Sequence, residues 1–204
     1  MTIKMWRGTF AATTVFGMAL TALLAAQAPA GRQGAAPAQP PRPGLTLSTT
    51  AFADGTAIPL KYTQAGEQVS PALSWTNVPE GTQSFVLNMH DPEVSRNRTV
   101  DDQVHWFVWN IPGTATGLPE GVPAGATRPD GSQQISASGP NYRGPGAGAI
   151  GPVHHYTFEL YALDTKIDVS PGADAWETRA KVFQAMSGHI LGKAVYVGMF
   201  KRPQ

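Results

Sequence analysis

Glycine and proline punctuate this chain throughout, and they limit how long any regular element can be. The 204 residues include 22 glycines and 18 prolines, residues that favour turns and interrupt helices. Charged residues make up 14% of the chain, against roughly a quarter in typical soluble domains. This composition favours one compact domain of short elements, and the chain length allows such a domain together with a tail.

Short apolar segments recur between the turns, with lengths and alternation typical of β-strands. We predict strands over 45–52, 72–75, 84–91, 104–111, 154–163 and 194–200. The sequence shows neither an internal repeat nor a regular alternation of strands and helices, which disfavours a doubly wound sheet. It therefore predicts a mainly β domain, a sandwich or barrel with one peripheral helix.

The helix is predicted near the carboxyl terminus. Asp174, with Glu177 three residues later, resembles a capping box and would begin the helix. Apolar residues at spacings of three and four then form one stripe, which would face the core. The members of this stripe are Trp176, Ala180, Phe183, Met186 and Ile190.

The amino terminus has the pattern of a secretory signal peptide. Lys4 and Arg7 precede an uncharged stretch over 8–26, and small residues follow it. We assign residues 1–28 to the signal peptide, with cleavage after Ala28 or, as the alternative, after Ala30. A retained membrane anchor is the competing interpretation because about 18 apolar residues can span a bilayer, but alanine and threonine make this stretch only weakly hydrophobic.

The expected mature protein is periplasmic or secreted, with no stable membrane anchor after cleavage. Residues 29–43 are rich in proline, alanine and glycine, which predicts a disordered linker. The folded domain is predicted over 44–204.

Charge and cysteine content exclude several classes of function. The formal net charge is +1 without any run of like charges, so the sequence offers no footprint for nucleic acid. The chain contains no cysteine, which excludes disulfides, thiolate zinc sites and cysteine nucleophiles.

Three of the predicted strands each carry a titratable side chain, Asp91, His105 or His154, at the end of an apolar row. The rows, assigned by the alternation of side chains, are Phe85, Leu87 and Met89 before Asp91, Phe107 and Trp109 after His105, and Tyr156, Phe158 and Leu160 after His154. One such residue alone is more often a satisfied part of the core than a ligand. Three of them, each beside a Gly/Pro-rich loop, predict a shared pocket.

The loop over 138–148 is too rich in glycine and proline to be regular structure. Its glycines could bring backbone N–H groups close to an anion. It could equally be a long connection without a ligand. No helix follows it, so it is neither a dinucleotide-binding nor a nucleotide-phosphate fingerprint.

Several motifs, in order along the chain, resemble those of the phosphatidylethanolamine-binding protein family, in particular its bacterial Raf-kinase-inhibitor-like branch. The resemblance covers about residues 45–201. The motifs are Ile58-Pro59, Tyr62-Thr63, Ser70-Pro71, Leu73-Ser74-Trp75, Asp91-Pro92-Glu93, the run from His105 through Trp109-Asn110 to Gly113, Tyr142-Arg143-Gly144-Pro145, and His154-His155-Tyr156.

The resemblance implies a β-sandwich of antiparallel or mixed strands, with a small pocket for anionic groups such as phosphate headgroups. Histidine side chains and loop N–H groups would donate to the anion, and Asp91 would orient a histidine or receive a headgroup ammonium. No catalytic residue, metal or cofactor is expected. Carried over by motif, the ligand-binding residues are Asp91, Glu93, His105, Gly144, Gly146, His154 and Tyr156.

The chain departs from the family pattern at the pocket. Glu93 stands where aspartate is usual, and Val94-Ser95 replaces Ala-Pro. The stretch 146–148 lacks the prolines that the family has there, which predicts a more flexible wall, and His155 replaces an arginine near the mouth.

These observations predict an exported binding protein for a small anionic or phosphorylated ligand, with a further protein partner that the sequence does not identify. The alternative is a metal-dependent or His/Asp-based hydrolase, similar to phosphoesterases, that uses His105, His154 and Asp91. A third interpretation is a scaffold whose polar strand ends are only structural.

Overall fold

The computed structural model of this protein describes residues 43–204. The predicted signal peptide over 1–28 and the predicted linker over 29–43, except for its last residue, lie outside the described residues. Within the described part, no helix is long and apolar enough to cross a membrane.

Two β-sheets form the domain. The larger sheet has six strands in the order β2-β9-β8-β4-β5-β7, and the smaller has three in the order β1-β3-β6. Every pairing is antiparallel except the short parallel contact of β2 with β9. The strands are β1 Thr46–Ser48, β2 Thr56–Ala57, β3 Leu73–Thr76, β4 Ser84–Asp91, β5 Gln103–Pro112, β6 Gly117–Leu118, β7 Gln133–Ile135, β8 His154–Leu163 and β9 Ile190–Phe200.

The first core lies between the two sheets and makes the fold a sandwich. Phe85, Leu87 and Met89 of β4 pack with Leu73 and Trp75 of β3, and all five side chains are buried. This is the apolar row that side-chain alternation assigns to the 84–91 segment. The prediction of a mainly β domain with one peripheral helix is confirmed, although the first strand is shorter than predicted.

The second core lies between the opposite face of the large sheet and helix α1, Ala175–Met186. Because this face is also covered, β4 is buried at every position but one. A strand with both faces buried becomes apolar throughout rather than alternating, which explains the continuous apolar runs in β4 and β5.

Helix α1 begins where its capping signal predicts. The Asp174 carboxylate accepts hydrogen bonds from the N–H groups of Trp176, at 2.8 Å, and Glu177, at 3.0 Å, which satisfies two N–H groups of the first turn. The Glu177 side chain pairs instead with Lys181.

The predicted apolar stripe of this helix is partly wrong. Ala180 is exposed, and Ile190 lies in β9 with its side chain exposed. Trp176 is only partly buried, and its indole N–H donates to the Asp102 carbonyl. The residues that are buried are Ala175, Thr178, Arg179, Val182 and Met186.

A group of charged side chains lies between α1 and the large sheet. Asp102 accepts hydrogen bonds from Arg179 on the helix and from His90 at the end of β4. Burial alone would raise the pKa of Asp102, but these two bonds outweigh it, and the pKa lies below its usual range. The ionised carboxylate therefore ties the helix to the sheet.

Replacement of Arg179 tests this tie. Arg179→Met keeps the length of the side chain but leaves the Asp102 carboxylate half-buried with one partner fewer. We expect the free energy of unfolding at pH 7 to fall by about 2 kcal/mol, since breaking a buried ion pair is strongly destabilising. Denaturant titration measures this loss. The matched control is Lys181→Met two residues later, which removes an exposed pair with Glu177 and should cost less than about 0.5 kcal/mol; equal losses in both variants would contradict the assignment.

Candidate functional site

A cavity of about 260 Å³ opens at one edge of the large sheet. Because β4 and its two neighbours are antiparallel, the end of β4 and the starts of β5 and β8 meet at this edge. Five of the seven predicted site residues line the cavity. They are Asp91, His105, Gly146, His154 and Tyr156.

A β-bulge in β5 turns His105 toward this cavity. Trp106 pairs with Met89 and Val104 pairs with His90, so His105 has no residue opposite it on β4. An extra residue of this kind re-aims the side chains around it. The ring of His105 consequently lies on the first-core side, edge-on to Tyr156 with 5.0 Å between ring centroids.

Because of the bulge, His105 belongs to a different row of side chains from the one predicted. The prediction that His105 shares a row with Phe107 and Trp109 is wrong, because those two side chains belong to the second core. His105 shares its side of the sheet with Asp91 instead. Strict alternation fails here since it takes no account of an extra residue in the strand.

The tautomer of His105 follows from its contacts. Its Nδ1 lies 2.9 Å from the carbonyl oxygen of Arg143 and 3.1 Å from that of Gly144, and a carbonyl can only accept, so Nδ1 carries the hydrogen. Burial lowers the pKa of His105 to about 4, with a further lowering from the nearby Arg143 charge. His105 is therefore neutral at pH 7, and its Nε2 is a hydrogen-bond acceptor.

Asp91 and His154 form a pair on the opposite wall. The Asp91 carboxylate is 2% exposed, accepts from Nδ1 of His154 at 2.7 Å, and accepts from the N–H of Glu93 at 3.0 Å. Burial raises the pKa of Asp91 above its usual value even though both bonds and the His154 charge oppose that shift. Its ionised form is thus less well compensated than that of Asp102.

The glycine-rich loop before β8 forms the third wall, and Tyr156 holds it in place. The N–H groups of Gly146 and Ala147 both donate to the Tyr156 hydroxyl oxygen, at 3.1 and 3.0 Å, and the N–H of Gly144 donates to Gln68. Burial raises the pKa of Tyr156 to about 12. The expectation that Gly144 and Gly146 offer N–H groups to an anion is not met in this structure, because both already have protein acceptors.

Gly144 lies behind the cavity wall, where two stretches of backbone approach each other. A Cβ atom at this position would lie 2.6 Å from the carbonyl oxygen of Tyr62, closer than van der Waals contact allows. Gln64 bonds to the same segment through its side chain, to the carbonyl of Gly144 at 2.7 Å, and through its N–H, to that of Pro145 at 2.9 Å. These bonds fix the wall without the prolines that the family pattern has there.

Glu93 lies at the rim. Its carboxylate accepts from both the backbone N–H of His155, at 2.9 Å, and the ring Nδ1 of His155, at 2.6 Å. Burial alone would raise the pKa of Glu93, but these bonds lower it below its usual value. Glu93 thereby joins the loop after β4 to the start of β8.

Arg143 also lines the cavity and was not among the predicted site residues. Its Nε is buried without a hydrogen-bond partner, and the guanidinium forms no ion pair within residues 43–204. It was missed because a loop arginine has no periodicity to reveal its direction. The available signal was that Arg143 is the one cationic residue in the glycine-rich loop over 138–148.

One group of side chains near the cavity has the composition of a metal site. Asp91, Glu93 and His154 each offer a ligand atom, and these atoms lie within 4.8 Å of one another. However, all four carboxylate oxygens already accept hydrogen bonds from the protein. An ion there would have to compete with these contacts.

Comparisons with known proteins agree with the fold and the motifs. A family model described as phosphatidylethanolamine-binding protein matches residues 48–201. A UPF0098 protein of Methanothermobacter thermautotrophicus is 42% identical over 160 residues, which cover 78% of this chain and 99% of that protein. A protein of Mycobacterium tuberculosis named as a lipoprotein, LppC, is 34% identical over 169 residues, which cover 81% of this chain and 75% of that one.

A solved structure is also similar. The crystal structure of a phosphatidylethanolamine-binding protein homologue from Chlamydia trachomatis has a TM-score of 0.65 and 30% sequence identity, and the match covers 78% of this chain and 98% of that chain. The sequence match, the shared motifs and the shared fold lead to one conclusion: this chain belongs to the phosphatidylethanolamine-binding protein family.

Proposed function

We propose that this chain is an exported binding protein whose cavity takes a small anionic group, such as a phosphate. The observation that carries the proposal is the guanidinium of Arg143, which borders the cavity and has no acidic partner among the described residues. Arginine recognises phosphate through charge-assisted and often bidentate hydrogen bonds. An anion in the cavity would give the guanidinium a charged partner.

The other walls are consistent with an anion of limited size. The cavity volume of about 260 Å³ is slightly below the usual range for drug-sized ligands, which begins at about 300 Å³. His154 also lines the cavity, and its Nδ1 lies 2.7 Å from the Asp91 carboxylate.

Binding is proposed rather than catalysis. The residues that line the cavity include no serine, threonine, cysteine or lysine. The lining groups that could still act as nucleophiles include the Asp91 carboxylate and the Tyr156 hydroxyl, which both accept hydrogen bonds from the protein. His105 uses its one N–H to hold the loop, so it has no proton to give to a leaving group at neutral pH. We therefore expect a bound phosphate ester to be released unchanged.

Export is proposed from the signal-peptide pattern over 1–28, and it is supported by the relative whose name describes a lipoprotein. An envelope or extracellular location would give the cavity access to small ions and to exposed lipid headgroups.

Replacement of Arg143 tests the anion site. Arg143→Met keeps the backbone groups that bond to His105 but removes the charge. We expect phosphate affinity, measured by isothermal titration calorimetry at pH 7, to fall at least about tenfold, since hydrogen bonds to charged groups contribute about 1.5–3 kcal/mol.

The control for net charge is Arg98→Met, at an exposed position that does not line the cavity. This variant should bind phosphate as the parent protein does. Unchanged phosphate affinity in Arg143→Met would contradict the proposal, and so would the absence of binding heat when phosphate is titrated into the parent protein. Incubation with p-nitrophenyl phosphate should leave the ester intact; turnover would favour the hydrolase alternative.

Asp91 distinguishes a functional site from a structural one. Because the folded state raises its pKa, Asp91 contributes stability that is present below its unfolded value and is lost as pH rises through the folded value. Asp91→Asn should therefore leave the free energy of unfolding at pH 7 unchanged or higher, while phosphate affinity changes. As pH falls toward 4, the parent protein should gain stability relative to the variant.

Chemical denaturation between pH 4 and 8 measures both trends. A loss of several kcal/mol in Asp91→Asn at pH 7, with unchanged phosphate affinity, would support the interpretation of Asp91 as a purely structural residue. Asp102→Asn is the matched control, because the pKa of Asp102 is lowered and its loss should destabilise the protein at pH 7.

Expression of the full chain in a bacterium with a periplasm tests export. We expect the protein in the periplasmic or secreted fraction, with its amino terminus at Pro29 or, if cleavage follows Ala30, at Gly31. Mass spectrometry of the purified protein gives this terminus. A chain that retains residues 1–28 and sediments with membranes would support the anchor instead.

A further inference from the structure

The proposed anion site does not by itself specify which anion binds most tightly. The contacts of the buried His105 restrict which anions fit. His105 is 2% exposed and its Nδ1–H is committed to two carbonyl oxygens. His105 lines the cavity, and its Nε2 has no hydrogen-bond partner among residues 43–204 and is not one of their buried unpaired atoms, so water can donate to it. A ligand that displaces this water without donating a hydrogen bond of its own leaves Nε2 unpaired, which costs free energy.

An oxyanion that carries no hydrogen cannot donate a hydrogen bond to Nε2 of His105. Sulfate at pH 7 carries only acceptor oxygens, so an oxygen placed against Nε2 would bring two lone pairs together. Protonation of His105 would relieve the conflict, but burial and the Arg143 charge hold its pKa at about 4. At pH 7, about three pH units above this value, only about one His105 ring in a thousand would be protonated.

We infer that the cavity selects an oxyanion that carries a hydrogen of its own, namely hydrogenphosphate, dihydrogenphosphate or the singly ionised form of a phosphate monoester. Its charged oxygens would accept from Arg143, while its P–O–H donates to Nε2 of His105. This inference rests on the proposed anion site and specifies the ligand class within it.

The ammonium of an ethanolamine headgroup is a weaker candidate for the donor. The Arg143 charge is close enough to His105 to lower its pKa, and the same positive charge would repel an ammonium at Nε2. A neutral P–O–H group is not repelled in this way. An ammonium would find its best acceptor at Asp91 instead.

Matched anions provide the test on the parent protein. Sulfate has the charge and shape of hydrogenphosphate without the hydrogen, and dimethyl phosphate has the charge of dihydrogenphosphate without the hydroxyl. Calorimetric titration at pH 7 and constant ionic strength should show phosphate binding at least about tenfold more tightly than either, because an acceptor left unpaired costs about 1–3 kcal/mol.

Outcomes of this series separate the two proposals. Sulfate or dimethyl phosphate binding within about threefold of phosphate would overturn the selectivity and leave the anion site intact. The methyl ester of phosphoethanolamine has no hydroxyl group, and its only N–H or O–H donor is the ammonium; if it binds as tightly as phosphate, the selectivity is also overturned. Absence of binding by all four compounds would overturn the anion site itself, and the selectivity with it.

His105→Asn adds a second measurement. The asparagine side-chain NH₂ can occupy the place of Nδ1–H and still donate to the carbonyls of Arg143 and Gly144, but the variant has no acceptor at the position of Nε2. Phosphate should then bind no more than about threefold more tightly than sulfate. Thermal unfolding checks that the variant is folded. A folded variant that keeps the full preference for phosphate would overturn the assignment to His105. If the variant does not fold, the anion series on the parent protein still tests the selectivity.

Discussion

The bonds from Nδ1 of His105 to two consecutive carbonyl oxygens, those of Arg143 and Gly144, are the contact on which the site depends. They tie the bulged start of β5 to the glycine-rich loop, and so they fix the position of that loop relative to the sheet. They also fix the tautomer of the histidine. Because both carbonyls are obligate acceptors, the ring has no freedom to present a hydrogen to the cavity while it is neutral.

The end of β4 shows how the two faces of one strand take different roles. His90 points to the helix side, where Asp102 accepts hydrogen bonds from both His90 and Arg179 and has its pKa lowered. Asp91 points to the cavity side, where burial raises its pKa despite its bond to His154. The first carboxylate is well compensated by its partners in the fold, and the second is less well compensated. Undercompensated charge of this kind is a property of functional sites.

Much of the site could be predicted because strands place side chains by a simple rule. Asp91 and His154 end apolar rows that alternation assigns to the cavity side, and the structure keeps both rows in the first core. His105 was brought into the same group by a rule that does not hold at its position, since the bulge reverses its direction. A bulge depends on how β5 pairs with the neighbouring β4, and the sequence of one strand does not encode that pairing.

The loop shows the other limit of sequence reasoning. Its glycines predicted backbone donors for an anion, but the donors of Gly144 and Gly146 bond to Gln68 and Tyr156. Tertiary packing decides which acceptor each N–H group bonds to. The glycine content of the loop predicts only that its backbone can approach another group closely. The charge that remains for an anion comes from Arg143, a side chain whose direction no local pattern reveals.

In the proposed site, Nε2 of His105 and the guanidinium of Arg143 would together explain how binding remains specific in water. Arg143 alone would attract any small anion, since charge attraction falls slowly with distance and does not depend on the ligand's hydrogens. The Nε2 atom of His105 would act differently, because it would lower the affinity for anions that donate no hydrogen bond to it. Discrimination by an unsatisfied group is stronger than discrimination by size in a small cavity. In the proposed site, a neutral histidine beside an arginine would supply affinity and selectivity from separate atoms, and burial, which keeps the histidine neutral, would keep the two roles apart.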